Sequence, residues 1–114
     1  MHIKRHAGVA LMGFALLLPV AAAAQASSEP LIAQAMALHA SGKPAEAYGL
    51  LAPLEATRAG DPDFDYALGL AAADSGRHGP AIVALQRVLA VQPKNAQARA
   101  EIARVYAMAG DIDT

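Results

Sequence analysis

Apolar positions along this chain fall into two regimes. From Ala7 to Val20 they form one uncharged run, preceded by His2, Lys4, Arg5 and His6 and followed by the alanine-rich stretch 21–26. From Ser28 onward apolar residues recur at helical spacing, in segments bounded by Gly, Pro, Asp and Asn, and no segment alternates with the period of a strand. Asp61-Pro62-Asp63 predicts an N-cap, a proline at the first helical position and an acid in the first turn. That helix should run to about Ser75 and stop at Gly76. Gly79-Pro80 should open a second helix, Pro80 to about Val91, which Pro93 prevents from continuing. Asn95 should cap a further helix ending at Gly110. Upstream, Ser28 serves as cap, Gly42 as stop and Pro44 as restart, and Pro53 should kink or shorten the helix that contains it.

The punctuation repeats. Gly42, Gly76 and Gly110 are 34 residues apart each time, and Ala47/Ala81, Leu51/Leu85 and Leu54/Val88 keep the same interval. Leu68-Gly69 is echoed by Ile102-Ala103. A fixed period of this kind defines units of two helices: 28–61, 62–95 and an incomplete 96–114. Small residues at Gly69 and Ala81 should let the two helices of the second unit approach closely, with Leu68, Leu85 and Val88 filling the space around them. On this reading Gly69→Leu overpacks, whereas Gly69→Ala is mild or favourable because alanine is the better helix former. The helix of the third unit should turn Ile102, Val105 and Tyr106 inward.

At these residues the chain resembles the tetratricopeptide-repeat (TPR) family. The second unit carries the family's large–small pair as Leu68-Gly69, its turn glycine as Gly76, its small residue as Ala81, its packing position as Leu85 and its closing proline as Pro93. The first unit departs from the pattern, with Gln34-Ala35 for the pair and Ala59 for the proline. The family's fourth-position aromatic is replaced by Leu31, Asp65 and Arg99, although Tyr106 supplies the aromatic at position eleven. The resemblance implies an all-α fold, a right-handed superhelical solenoid of about 2.5 repeats. It also implies a concave face lined by the first helix of each unit. The family's face positions fall here on Met36 and His39, on Tyr66, Leu70 and Asp74, and on Glu101, Arg104 and Met108. Methionines with one aromatic suit an apolar or extended peptide. The family's carboxylate clamp is not reproduced, because the fifth positions are Ile32, Tyr66 and Ala100 and the ninth are Met36, Leu70 and Arg104. The competing reading of the same residues is that part of this set packs against whatever follows Thr114.

Composition changes the picture at the N-terminus. A basic start, a short apolar core and Ala24-Gln25-Ala26 read as a secretory signal peptide over residues 1–26, cleaved after Ala26 with Ala24 as the second choice. A retained membrane anchor is the alternative, but the run is short of the roughly 20 residues a span needs. Cleavage removes Lys4 and Arg5 and leaves an excess of three acids on a cysteine-free chain. That balance offers no basic surface for nucleic acid.

Candidate chemistry is sparse. His39 and His78 stand far apart with no cysteine and no His-x-x-His, short of a zinc ligand set. His78 reads as an exposed turn residue and His39 as lining a helix near the groove. Asp61, Asp63 and Asp65 lack the glycine and bidentate glutamate of a calcium loop, and helix capping with dipole neutralisation accounts for all three. Ser41 and Ser75 precede helix-stop glycines without a nucleophile elbow. The expectation is therefore no enzyme, no metal and no cofactor, but a soluble periplasmic scaffold for a protein or peptide partner. The stretch from Asp65 to Asp111 together with the leader is similar to Gram-negative secreted TPR proteins. Some of these, such as surface lipoprotein assembly modifiers, carry an outer-membrane barrel after the repeats. The alternative expectation is thus the periplasmic head of a longer barrel or secretion protein, cut short at Thr114; an envelope enzyme with its motifs beyond Thr114 is the third.

Overall fold

The computed structural model describes residues 29–110, and among them every regular element is helical. The chain divides after Pro30 into two compact units, and the account that follows concerns the second, together with the first two residues of its leading helix. The expected leader with its cleavage after Ala26, the Ser28 cap and the continuation of the third unit from Asp111 lie outside the described residues. The helices are α1 (Glu29–Ala40), α2 (Pro44–Leu51), α3 (Glu55–Arg58), α4 (Pro62–Asp74), α5 (His78–Val91) and α6 (Ala96–Met108). No described helix is long and apolar enough to cross a membrane.

The helix boundaries follow from local chemistry. Asp61 caps α4 by accepting from the Asp63 N–H at 3.1 Å, and Asn95 caps α6 by accepting from the Ala98 N–H at 2.9 Å. Gly42, Gly76 and Gly110 all adopt the left-handed conformation, at φ of 80, 82 and 82°. In the first two turns the residue after the glycine donates back to the last helical turn, Lys43 to Leu38 and Arg77 to Ala72, closing the same glycine cap. Pro53 breaks its helix as expected: α2 ends at Leu51, Ala52–Leu54 form a 3-10 turn, and the short α3 follows. One boundary differs. α5 begins at His78, two residues before Pro80, because a proline in the first turn lacks only an N–H that would have no intrahelical partner.

Two apolar clusters hold the helices. Ala35 of α1, Ala47 and Leu51 of α2, Phe64, Ala67, Leu68 and Ala71 of α4 and Ala84 of α5 form the first. Ala72 and Ala73 of α4, Ala81 and Leu85 of α5 and Val105 of α6 form the second. α4 and α5 make the most extensive contact, and they run antiparallel, since Asp65 meets Arg87 while Gly69 meets Leu85. α6 sits differently from its expectation: Val105 is buried and Ile102 half-buried, but Tyr106 is 43 % exposed.

Close approach at Gly69 corrects a second expectation. A Cβ on Gly69 would stand 2.8 Å from Leu85 Cγ and 2.9 Å from its Cδ2, inside a fully buried contact. Leu85 Cγ is a branch point, not a flexible tip, so alanine as well as leucine must push the helices apart. Overpacking costs about 1–3 kcal/mol, against a helix-propensity gain of about 1 kcal/mol for glycine to alanine. Gly69→Ala should therefore lose about 1 kcal/mol net and Gly69→Leu more, read as successive drops in urea midpoint. Equal midpoints for wild type and both variants would mean that α4 and α5 do not meet at this distance.

Candidate functional site

α1, α4 and α6 each contribute side chains to one face, and a chain of polar contacts crosses it. The His39 ring of α1 donates from Nε2 to Asp74 Oδ2 of α4 at 2.5 Å. Asp74 Oδ1 accepts from Arg104 Nη1 of α6 at 2.9 Å. Arg104 turns its Nε and Nη2 to Glu101 Oε1 at 3.0 and 2.6 Å, and its Nη1 also reaches Met108 Sδ at 3.5 Å. Five of the eight expected face residues are thus joined through a single guanidinium and a single carboxylate. Met36 is half-buried and packs on the first apolar cluster, and Tyr66 is half-buried against the second. Leu70 is 8 % exposed, so it contributes little surface to the face.

The electrostatics follow from these contacts. Burial would raise the Asp74 carboxyl, but the hydrogen bonds from His39 and Arg104, with the charge of Arg104, outweigh it and hold the group below its ordinary 3.8. Hydrogen bonding to Glu101, and then to Asp74, raises Arg104 against the opposing effect of burial. Desolvation by burial and then the Glu101 carboxylate push the Tyr66 phenol up, with the charge of Arg104 opposing. Asp61 is lowered chiefly by its hydrogen bond from Arg58. A carboxyl depressed in the folded state contributes stability that is complete above its unfolded value and is lost as pH falls through the folded one. Stability should therefore decline as pH drops below 3.8, and Asp74→Asn should flatten that decline while lowering stability at pH 7. Urea titrations of both proteins at neutral pH and near pH 3 check this, and parallel losses would show that Asp74 is not held by its partners.

The remaining candidates have structural roles. Ser41 Oγ donates to Ala37 O at 2.8 Å and Ser75 Oγ to Ala71 O at 2.7 Å, so both hydroxyls close the ends of their helices. Among the described residues no three His, Asp or Glu side chains converge as metal ligands. His78 is half-buried at the start of α5, lining a cleft, and is not the exposed turn residue expected. Asp65 is the larger correction. It is not a solvated first-turn acid but wholly buried, accepting from Gly60 N–H at 2.8 Å and from Arg87 Nε and Nη2 at 3.1 and 3.0 Å. Arg87 also donates to Glu55 Oε2 of α3 at 2.9 Å, so one guanidinium ties α3, α4 and α5 together. No family model, curated protein or solved structure matches the chain.

Proposed function

We propose that this chain is an exported, TPR-type helical scaffold that holds an extended segment of a protein or peptide on the face built by α1, α4 and α6. The observation that carries the proposal is the convergence of His39, Asp74, Glu101, Arg104 and Met108 from three separate helices onto that face. Exposed ion pairs of this kind contribute little stability, about 0–1 kcal/mol. Their value lies in fixing polar groups at set positions beside Met36, Tyr66 and Met108, side chains that adapt to apolar partner residues. The 34-residue interval between left-handed glycines supports the finer reading of stacked repeat units in a right-handed solenoid. The basic and apolar N-terminal run supports export to the periplasm with cleavage after Ala26.

The test has two arms. N-terminal sequencing of the exported protein should begin at Ser27; soluble cytosolic protein that keeps Met1 excludes the export reading. Linear peptides selected from a random displayed library on the mature protein should lose roughly tenfold in affinity with Tyr66→Ala or Arg104→Ala, about 1.4 kcal/mol each. Val83→Ala, at a half-exposed position outside the face, should leave their binding unchanged. Selected peptides that bind all three variants equally would place the binding surface elsewhere.

A further inference from the structure

The face built by α1, α4 and α6 has a charge and a hydrogen-bonding polarity of its own. Helical spacing puts Asp63, Tyr66 and Asp74 on one stripe of α4, and Glu101, Arg104 and Met108 on one stripe of α6. Three carboxylates on these stripes stand against one guanidinium. The other described arginines each have a partner off the stripes: Arg58 has Asp61, Arg77 the Tyr48 ring, Arg87 both Asp65 and Glu55, and Arg99 the Pro93 carbonyl. Arg104 is itself already engaged. Its Nε and Nη2 donate to Glu101 Oε1 and its Nη1 to Asp74 Oδ1, so two carboxylates share its charge. A carboxylate arriving from a partner would compete with both.

Glu101 is placed the other way round. Its whole contact with Arg104 runs through Oε1, and among the described residues its Oε2 accepts no hydrogen bond. That oxygen is open to solvent, because no buried side-chain oxygen among the described residues lacks a partner. Met108, in contact with Arg104, is 42 % exposed and offers an apolar surface to the methylene stem of a long basic side chain. We infer that the extended segment held on this face is basic. A lysine or arginine of the partner donates to Glu101 Oε2, its stem lies against Met108, and the Asp63 and Asp74 carboxylates add to the attraction. The inference rests on the peptide-binding reading and deepens it by giving the partner's charge. Arg104 is then a positioning residue that holds Glu101 through Oε1, so its removal weakens binding although it makes the face more negative.

The probe is the pool of linear peptides selected from the random displayed library on the mature protein, sequenced before and after selection. Lysine or arginine should be enriched over aspartate and glutamate. In a selected peptide, replacing the enriched basic residue by glutamine should lower affinity for the wild type about tenfold. Glu101→Gln, which keeps an oxygen for Arg104, should lose about the same factor. On that variant the peptide substitution should have little further effect, a coupling that a general loss of structure would not produce. Asp63→Asn, at an exposed position outside the Arg104 network, should lose only about twofold, and less at high salt. Enrichment of acidic or uncharged residues, or losses from Glu101→Gln and the peptide substitution that simply add, overturn the basic partner. The peptide-binding reading survives either result if Tyr66→Ala still weakens the selected peptides. A library that yields no binders, or binders indifferent to Tyr66→Ala, overturns both.

Discussion

Asp65→Ala is expected to lower the stability of the helical domain by about 3 kcal/mol, because removing one partner of a buried ion pair strands the other. Measured costs of this kind run to about 3–5 kcal/mol. The lower end applies here, since the Arg87 side chain is 26 % exposed and keeps Glu55. The loss has a second source in the Gly60 N–H, which gives up its carboxylate acceptor beside the turn that leads into α4. Asp65→Asn keeps an acceptor for that N–H and should lose roughly half as much, since hydrogen bonds to charged groups contribute about 1.5–3 kcal/mol. Asp65→Leu combined with Arg87→Met should recover most of the deficit, because apolar residues of similar volume avoid the desolvation of both charges. Urea unfolding at pH 7 separates these outcomes. A loss below about 0.5 kcal/mol for Asp65→Ala, the range of ordinary surface substitutions, would mean that the carboxylate is solvated and does not clamp α5.

That pair also marks the limit of what the residues announce by themselves. The glycine turns at 42, 76 and 110, the caps Asp61 and Asn95 and the break at Pro53 are local events, decided by backbone sterics or by a donor two or three residues away. They were legible, and so were Ala47 and Ala81 as fully buried small residues, because a periodic position repeats its environment. Asp65 was not legible. Its partner lies 22 residues on, and the acid that shares this partner lies 32 residues before it. Nothing within the first turn of α4 distinguishes such an acid from Asp63, which remains exposed. Gly69 misled for a related reason: helix propensity is a property of one residue, whereas the distance to Leu85 belongs to two helices.

The candidate face shows the same division. Repeat position selected His39, Asp74, Glu101, Arg104 and Met108, and these converge. Position could not tell that the polar groups engage one another, since the contacts join α1, α4 and α6 across 30 to 35 residues of chain. On the proposed peptide-binding reading, a partner on this face meets a pre-assembled network. Its polar groups must either add to the free edges of Arg104 and Glu101 or displace His39 from Asp74.

Phe64→Ala should be the most damaging apolar truncation among the described residues. Among the described residues Phe64 is the largest fully buried side chain, at 0 % exposure. Its ring belongs to the cluster that joins Ala47 and Leu51 of α2 to Leu68 of α4 and Ala84 of α5, so it ties α2 to α4 and α5. Truncating a buried phenylalanine costs about 3–5 kcal/mol, the transfer term plus the cavity that neighbours cannot refill. Against a total of about 5–15 kcal/mol for a small domain, that leaves the variant close to unfolding at room temperature. Phe64→Leu retains most of the volume and should lose less than about 1.5 kcal/mol. Arg58 covers the ring with its guanidinium 5.1 Å from the centroid, and Arg58→Ala should cost about 0.5–1 kcal/mol in the wild type. In the Phe64→Ala background that cost should shrink, and the difference between the two backgrounds isolates the stacking term. If Phe64→Ala unfolds at the same urea concentration as Val83→Ala, the ring cannot be what joins α2 to α4.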